Sequence, residues 1–182
     1  MNEKTLLNSL KNKKTKKESF KELVAIYKER LYWHIRKMVK SHEDTDDILQ
    51  NTFIKVYNNI ESFNEKSKLY SWMYRIATNE TITFLNKKAK RNHVSFEELS
   101  INLVSSLQED IYYNGNSIQL ELQKAIATLP QKQQLVFNMK YFDEMKYTEI
   151  SEILKTSVGA LKASYHHATK KIKNYLHTQV NL

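Results

Sequence analysis

The sequence predicts an all-α fold: two small helical domains joined by an acidic linker, the second carrying a helix-turn-helix. Three observations predict it. In 182 residues there are one Pro and two Gly, so tight β-turns are scarce and helices can run unbroken. Apolar residues recur at three- and four-residue steps through most of the chain, the period of a helix with one buried face. Charge is segmented as well. The formal net charge is +9, yet residues 92–123 contain no Lys or Arg and carry Glu97, Glu98, Glu109, Asp110 and Glu121. That stretch reads as a linker between two basic modules.

The elements follow in order. Residues 1–17 crowd Lys11, Lys13, Lys14, Lys16 and Lys17 among few apolar residues, and are expected to form a flexible basic tail. Phe20, Leu23, Val24, Tyr27, Leu31, Ile35 and Met38 mark an amphipathic helix from residue 18 on. His34 lies near this stripe and is read as a packed histidine rather than a metal ligand. Ser41-His-Glu-Asp44 has the form of a capping box closed by Asp. A second helix should run to about Ile60, with Leu49, Phe53, Val56 and Ile60 on one face and Phe63 continuing the spacing. Its first turn holds Glu43, Asp44, Asp46 and Asp47, which the helix dipole stabilises. The same acids could form a protein-docking face. As a metal site they lack a His or Glu partner at ligand spacing.

After a polar loop at residues 64–68 comes LYSWMYRIATNETITFLNKKAKR, read as one helix over 69–91 with Leu69, Met73, Ile76 and Phe84 buried. Tyr70, Trp72, Tyr74 and Phe84 alternate with Arg75, Asn79 and Thr83, and the end carries Lys87, Lys88, Lys90 and Arg91 without an acid. Rings stack on unpaired bases and cations hold phosphates, so this mixture suits single-stranded nucleic acid. A core helix with a solvated basic end is the plainer alternative.

The second module starts near Ile118. Leu122, Ile126 and Leu129 form a helix that ends before Pro130, and Pro130 opens the next, with Leu135, Val136 and Met139 buried. A turn spans residues 143–146. A short helix follows over 147–154, then the turn Lys155-Thr156-Ser157, with Ser157 as N-cap of a last helix to about Leu176. Leu161, Tyr165, Ala168, Ile172 and Tyr175 are its buried positions. Residues 155–182 contain five Lys and no acid. Short helix, turn and longer basic helix form the helix-turn-helix pattern, whose second helix enters the major groove. Lys162, Ala163, Ser164, His166 and His167 would face the bases.

Composition excludes several classes of function. Without Cys there are no disulfides or thiolate metal sites, which fits a reducing cytoplasm. No apolar run reaches membrane-spanning length, and the start lacks a signal-type apolar core. There is no nucleophile–base–orienter set, no Gly-rich phosphate loop and no zinc motif, so neither catalysis nor a cofactor is implied. The positive charge favours a polyanionic partner.

The order of these motifs resembles the bacterial sigma factors of the extracytoplasmic-function type, over roughly residues 20–176. DTDDILQNTFIKVY is similar to the helix by which that family grips the clamp of the polymerase largest subunit. Asp47, Gln50 and Phe53 match, with Asp46 beside them and Asn51 where an acid is usual. KLYSWMYRIATNETITFL resembles the helix that opens the promoter and reads the minus-ten element. Trp72, Arg75, Ile76, Ala77 and Asn79 match, whereas Thr83 and Asn86 replace the usual Asp and Arg. The resemblance implies that Asn79, Phe63, Asn64 and Lys68 line a pocket for a flipped base, flanked by Thr83, Lys87, Lys88, Lys90 and Arg91.

ATLPQKQQLVFNMKYFDEMKYTEISEIL resembles the helices that bind the flap of the second polymerase subunit, with Gln134 for a usual Arg and Lys155 for a usual turn Gly. TSVGALKASYHHATKKI resembles the helix that reads the minus-thirty-five element. Its implied contacts are Ser157, Lys162, Ala163, Ser164, His166, His167 and Lys170, with Ser164 and His167 where Arg is common. The implied partners are core RNA polymerase, promoter DNA and, in some family members, an anti-sigma factor. The implied linker path is the channel later used by RNA. Two competing readings make different predictions. A regulator using only its helix-turn-helix would bind duplex DNA without polymerase. An enzyme holding a metal at Asp44, Asp46 and Asp47 would cleave nucleic acid.

Overall fold

The computed structural model describes residues 3–105, 107 and 117–180. Among these, the helices are α1 (Glu3–Lys11), α2 (Lys16–Val39), α3 (His42–Asn59), α4 (Leu69–Arg91), α5 (Phe96–Ser105), α6 (Ser117–Ala127), α7 (Gln131–Tyr141), α8 (Tyr147–Leu154) and α9 (Val158–Val180). A 3-10 turn, Ile60–Ser62, follows α3. No strand occurs among the described residues.

The expected basic tail is corrected. Leu6, Leu7 and Leu10 are buried, and α1 packs on α2 and on the Ile60–Ser62 turn. Leu6 and Leu10 stand one helical turn apart, with Leu7 beside them, so they form an apolar stripe that the lysine-rich composition hides. Asn12 turns the chain back: its carbonyl accepts from Thr15 N and Lys16 N. The lysines then work as surface ties, Lys11 to Glu65 at 2.8 Å and Lys16 to Glu61 at 2.9 Å. Both pairs lower the glutamates below their ordinary range, chiefly through the lysine hydrogen bond.

The helix over 69–91 has the predicted bounds, but its buried face is Leu69, Met73, Ala77, Thr81, Leu85 and Ala89. Ile76 and Phe84 are only half-buried. Thr81 can occupy the core because its hydroxyl donates to Ala77 O at 2.8 Å on its own helix. Ser41 caps α3, accepting from Asp44 N at 3.3 Å, while the Asp44 carboxylate pairs with Lys88 at 2.6 Å. In the linker, Ser95 and Glu98 form a reciprocal capping box that starts α5. Leu99 and Leu103 bury one side of it. Glu109 and Asp110 lie outside the described residues.

With so few glycines, helix ends fall to other residues. Lys40, His93, Glu144 and Lys155 follow α2, α4, α7 and α8 with φ between 52° and 64°. A left-handed non-glycine residue costs about 1–2 kcal/mol, and short polar side chains usually bear it. Lys155 has φ 52° and ψ 43°, the strained turn expected where Gly is missing.

The two modules share one hydrophobic core. Leu69, Met73 and Ala77 of α4 lie in the same buried cluster as Met139, Met145, Ile150 and Ile153. Polar contacts flank it. His34 Nδ1 is 3.1 Å from Asp143 Oδ2, and its Nε2 is 2.9 Å from Thr78 Oγ1. Lys37 also pairs with Asp143. Asn138 Nδ2 meets Met38 Sδ at 3.1 Å, and Gln131 Nε2 donates to Asn86 Oδ1 at 3.2 Å. Thr78 gives its only proton to Tyr74 O at 2.7 Å. Both ring nitrogens of His34 are thus engaged, one by Thr78 of the first module and one by Asp143 of the second. His34 is packed, as read from sequence, and its ring also bridges the two modules.

Candidate polymerase and nucleic-acid interfaces

Three surfaces carry the residues singled out by sequence. The first lies along α2 and α3. Asp46, Asp47, Gln50 and Asn51 are exposed on successive turns of α3, with Asp46 Oδ2 3.5 Å from His42 Nε2. Phe53 is buried, edge-on to Phe20 at 6.2 Å, so it supports this surface from beneath. Two adjoining grooves of about 410 and 320 Å3 share Val24, Gln50 and Phe53 as lining. Ile54 beside them is 51% exposed. An acid and an amide at the rim of an apolar groove suit a helical partner that brings basic side chains.

The second surface joins the loop at 63–68 to α4. Phe63 is buried and tilts against Trp72 at 5.2 Å. Asn64 is exposed and turns the loop by accepting from Lys66 N at 3.3 Å, and Glu65 takes φ 59°. The Glu3 carboxylate accepts from Leu69 N at 3.3 Å, satisfying an open N–H at the start of α4. Lys68 is exposed, 3.6 Å from Glu149 of α8. Asn79, Thr83, Lys87 and Lys90 recur along one side of α4, all exposed, with Arg91 at its end. Lys88 turns away to Asp44, its ammonium 5.4 Å from the Phe84 ring. This surface offers amide, hydroxyl and cationic groups beside an aromatic pair.

The third surface is the outer side of α9. Ser157 Oγ accepts from Ala160 N at 3.3 Å and starts the helix. Leu161, Ala168 and Ile172 are buried, and Tyr165 stacks on Phe137 at 5.8 Å. The opposite side exposes Lys162, Ala163, His166, His167 and Lys170, while Ser164 is half-buried. Behind α9 is an apolar groove of about 440 Å3, lined by Ile118, Leu122, Phe137, Tyr141, Ile172 and Leu176.

The acids at the start of α3 do not converge. Asp44 belongs to Lys88 and Asp46 faces His42, and no group of three or more metal-ligating side chains occurs among the described residues. Sequence reading missed Asp143, placed in a turn, and the ties from Glu3 and Lys11 to the loop. Only the spacing of Leu6, Leu7 and Leu10 could have signalled the latter.

The sigma-70 region 2 family matches residues 23–91, and the sigma-70 region 4 family matches residues 119–172. The extracytoplasmic-function sigma factor SigW of Bacillus subtilis is 33% identical over 172 residues, covering 90% of this chain and 92% of SigW. The sigma-E factor of Haemophilus influenzae is 28% identical, with 87% of each chain covered. Among solved structures, CnrH in complex with the cytosolic domain of CnrY superposes with a TM-score of 0.71 at 17% identity, covering 97% of this chain and 98% of CnrH. The Bartonella quintana sigma factor RpoE, bound to the anti-sigma factor NepR, gives 0.66 at 18% identity and covers 89% and 99%. With both modules matched in order and one relative 33% identical across most of its length, the chain belongs to the extracytoplasmic-function sigma factors, which bind core RNA polymerase and recognise promoters.

Proposed function

We propose that the three surfaces divide the work of initiation. The α3 surface around Asp47 and Gln50 docks on the polymerase clamp. The loop at 63–68 and α4 capture bases of the minus-ten element, and α9 reads the minus-thirty-five element in the major groove. The apolar groove behind α9 receives the polymerase flap. The observation that carries this reading is the separation of chemistries. An acidic, apolar-backed face suits protein, whereas the α4 and α9 faces expose amides, hydroxyls and cations to nucleic acid. An anti-sigma factor, like the one held by RpoE, would act by covering these surfaces. The protein works in the bacterial cytoplasm, where polymerase and promoters are. No helix among the described residues is long and apolar enough to cross a membrane.

Run-off transcription with core polymerase, with and without the protein, tests the whole reading. Within it, Asp47→Ala with Gln50→Ala should weaken core binding by about tenfold or more at unchanged helical content. Co-purification with core at wild-type levels would refute the docking assignment. Lys162→Ala should weaken upstream duplex binding and lower its salt dependence by about one phosphate contact. Asn79→Ala should spare duplex binding and impair opening, read by permanganate footprinting on the same promoter. If Asn79→Ala leaves melting and base preference intact, the pocket lies elsewhere.

A further inference from the structure

The outer side of α9 begins with small side chains. Gly159, Ala160 and Ala163 are exposed, and a Cβ at Gly159 would meet nothing within 4 Å. They let the helix backbone come close to a facing surface but have no reach of their own. Reach belongs to Lys162, then to His166 and His167 about one turn on, then to Lys170 and Lys171, all exposed. The two imidazoles are neighbours, with ring centroids 5.9 Å apart. The middle of a basic face is thus carried by the one side chain that ordinarily changes charge between about pH 5 and 8.

The acids of the protein stand elsewhere. Residues 155–182 contain none, so the charged neighbours of both rings on α9 are Lys162, Lys170 and Lys171. The histidine–carboxylate contacts among the described residues belong to His34 and His42. Helices α6, α7 and α8 pack against α9. From α6 come Glu121 and Lys124, paired with each other at 2.8 Å. From α7 come Lys132, Tyr141 and Lys140, which donates to Met145 O at 3.2 Å. From α8 come Tyr147, edge-on to Tyr165 at 6.4 Å, Glu149, which accepts from Lys146 N at 3.0 Å, and the exposed Glu152. Lys155 precedes the helix.

Resting on the reading of α9 as the helix that meets the upstream element, we infer that His166 and His167 make that recognition proton-linked. A neutral imidazole has one N–H to donate, and an imidazolium has two and a positive charge. Duplex DNA offers acceptors of two kinds to such a donor, phosphate oxygens and the paired N7 and O6 of guanine. Contact with either holds the proton on, so a bound ring keeps it to higher pH than a free one. The sign follows: the protonated form binds better, binding takes up protons, and affinity falls as pH rises across that interval. Hold on the upstream element would strengthen as the surroundings acidify from about pH 8 to 6.

Fluorescence anisotropy tests this with the full chain and a short duplex selected by the full chain from a random-sequence pool, titrated between pH 6 and 8. Wild-type affinity should fall about tenfold over that range. His166→Ala with His167→Ala should bind with nearly flat pH dependence, at or below the wild-type level at pH 8. His166→Arg with His167→Arg should also be flat, at or above the wild-type level at pH 6, because guanidinium keeps its charge throughout. His177→Ala should retain the wild-type slope. Phosphate contacts would steepen the wild-type salt dependence at pH 6 relative to pH 8, whereas guanine contacts would be weakened by 7-deazaguanine in the duplex. A flat wild-type profile, or a slope that survives the double Ala variant, would overturn the inference. So would a slope that disappears with His177→Ala. If Lys162→Ala weakens the duplex while wild type shows no slope, this inference fails alone. If Lys162→Ala has no effect on duplex binding, the reading of α9 fails and the inference with it.

Discussion

Asp143→Ala should destabilise the protein by about 3–5 kcal/mol, lowering Tm by roughly 6–20 °C. The Asp143 side chain is 8% exposed and that of His34 is 3% exposed, so removing the carboxylate leaves the Lys37 ammonium and a buried ring nitrogen without their acceptor. Burial raises the Asp143 carboxyl, but the hydrogen bonds and charges of His34 and Lys37 outweigh it and hold the group below its ordinary range. A depressed carboxyl stabilises the fold at neutral pH and loses that contribution as pH falls through its folded range. The gap between wild type and Asp143→Ala should therefore narrow on acidification. His34→Leu with Asp143→Leu should recover part of the loss, since an apolar pair leaves no buried charge. Thermal melts over a pH series check all three statements. An Asp143→Ala Tm within about 2 °C of wild type would mean that water already screens the cluster.

Leu10→Ala should cost about 2–5 kcal/mol, the range for emptying a fully enclosed leucine site. Leu10 is 0% exposed and sits with Leu6 and Leu7 in the principal core. Its helix also ties down the loop at 63–68 through Lys11 and caps α4 through Glu3. Leu10→Ala should therefore loosen the loop at 63–68 before it disturbs α9. Hydrogen exchange should rise first at residues 63–69, with amides of α7 and α9 unaffected under mild conditions. Wild-type stability on urea titration would restore the view of residues 1–17 as a tail.

The contrast between these sites shows what sequence could disclose. The bounds of α4 were legible because its ends are marked locally, by a polar loop before Leu69 and a basic run before Asn92. Ser157 as a cap was legible for the same reason, whereas Lys155 in a left-handed turn was legible only from the family's usual Gly there. The inward side of α4 was partly misread, because Thr81 is polar by composition but self-satisfied in a helix. The partners of His34 were not legible, since Asp143 lies 109 positions away and no local pattern joins them. Helix α1 was obscured by lysines whose charge says nothing of the three leucines between them. The exposed candidates on α4 and α9 came partly from residue pattern and partly from family resemblance, those on α3 chiefly from resemblance, and the fold places them on three separate surfaces.

The merged core has a kinetic meaning. A compact chain of 182 residues has a radius of gyration of about 16 Å, so it spans roughly 40 Å. Promoter elements some 25 base pairs apart are separated by about 85 Å of duplex. On the proposed assignment of α4 and α9 to these elements, the fused state cannot engage both, and only the fraction of molecules with parted modules is competent. The affinity that polymerase displays is its intrinsic affinity scaled by that fraction. When several sigma factors compete for a limited pool of polymerase, a substitution inside Leu69, Met73, Ile150 or Ile153 that weakens module fusion would raise this factor's share of the pool. Promoter output would then change without alteration of any residue that touches DNA or polymerase.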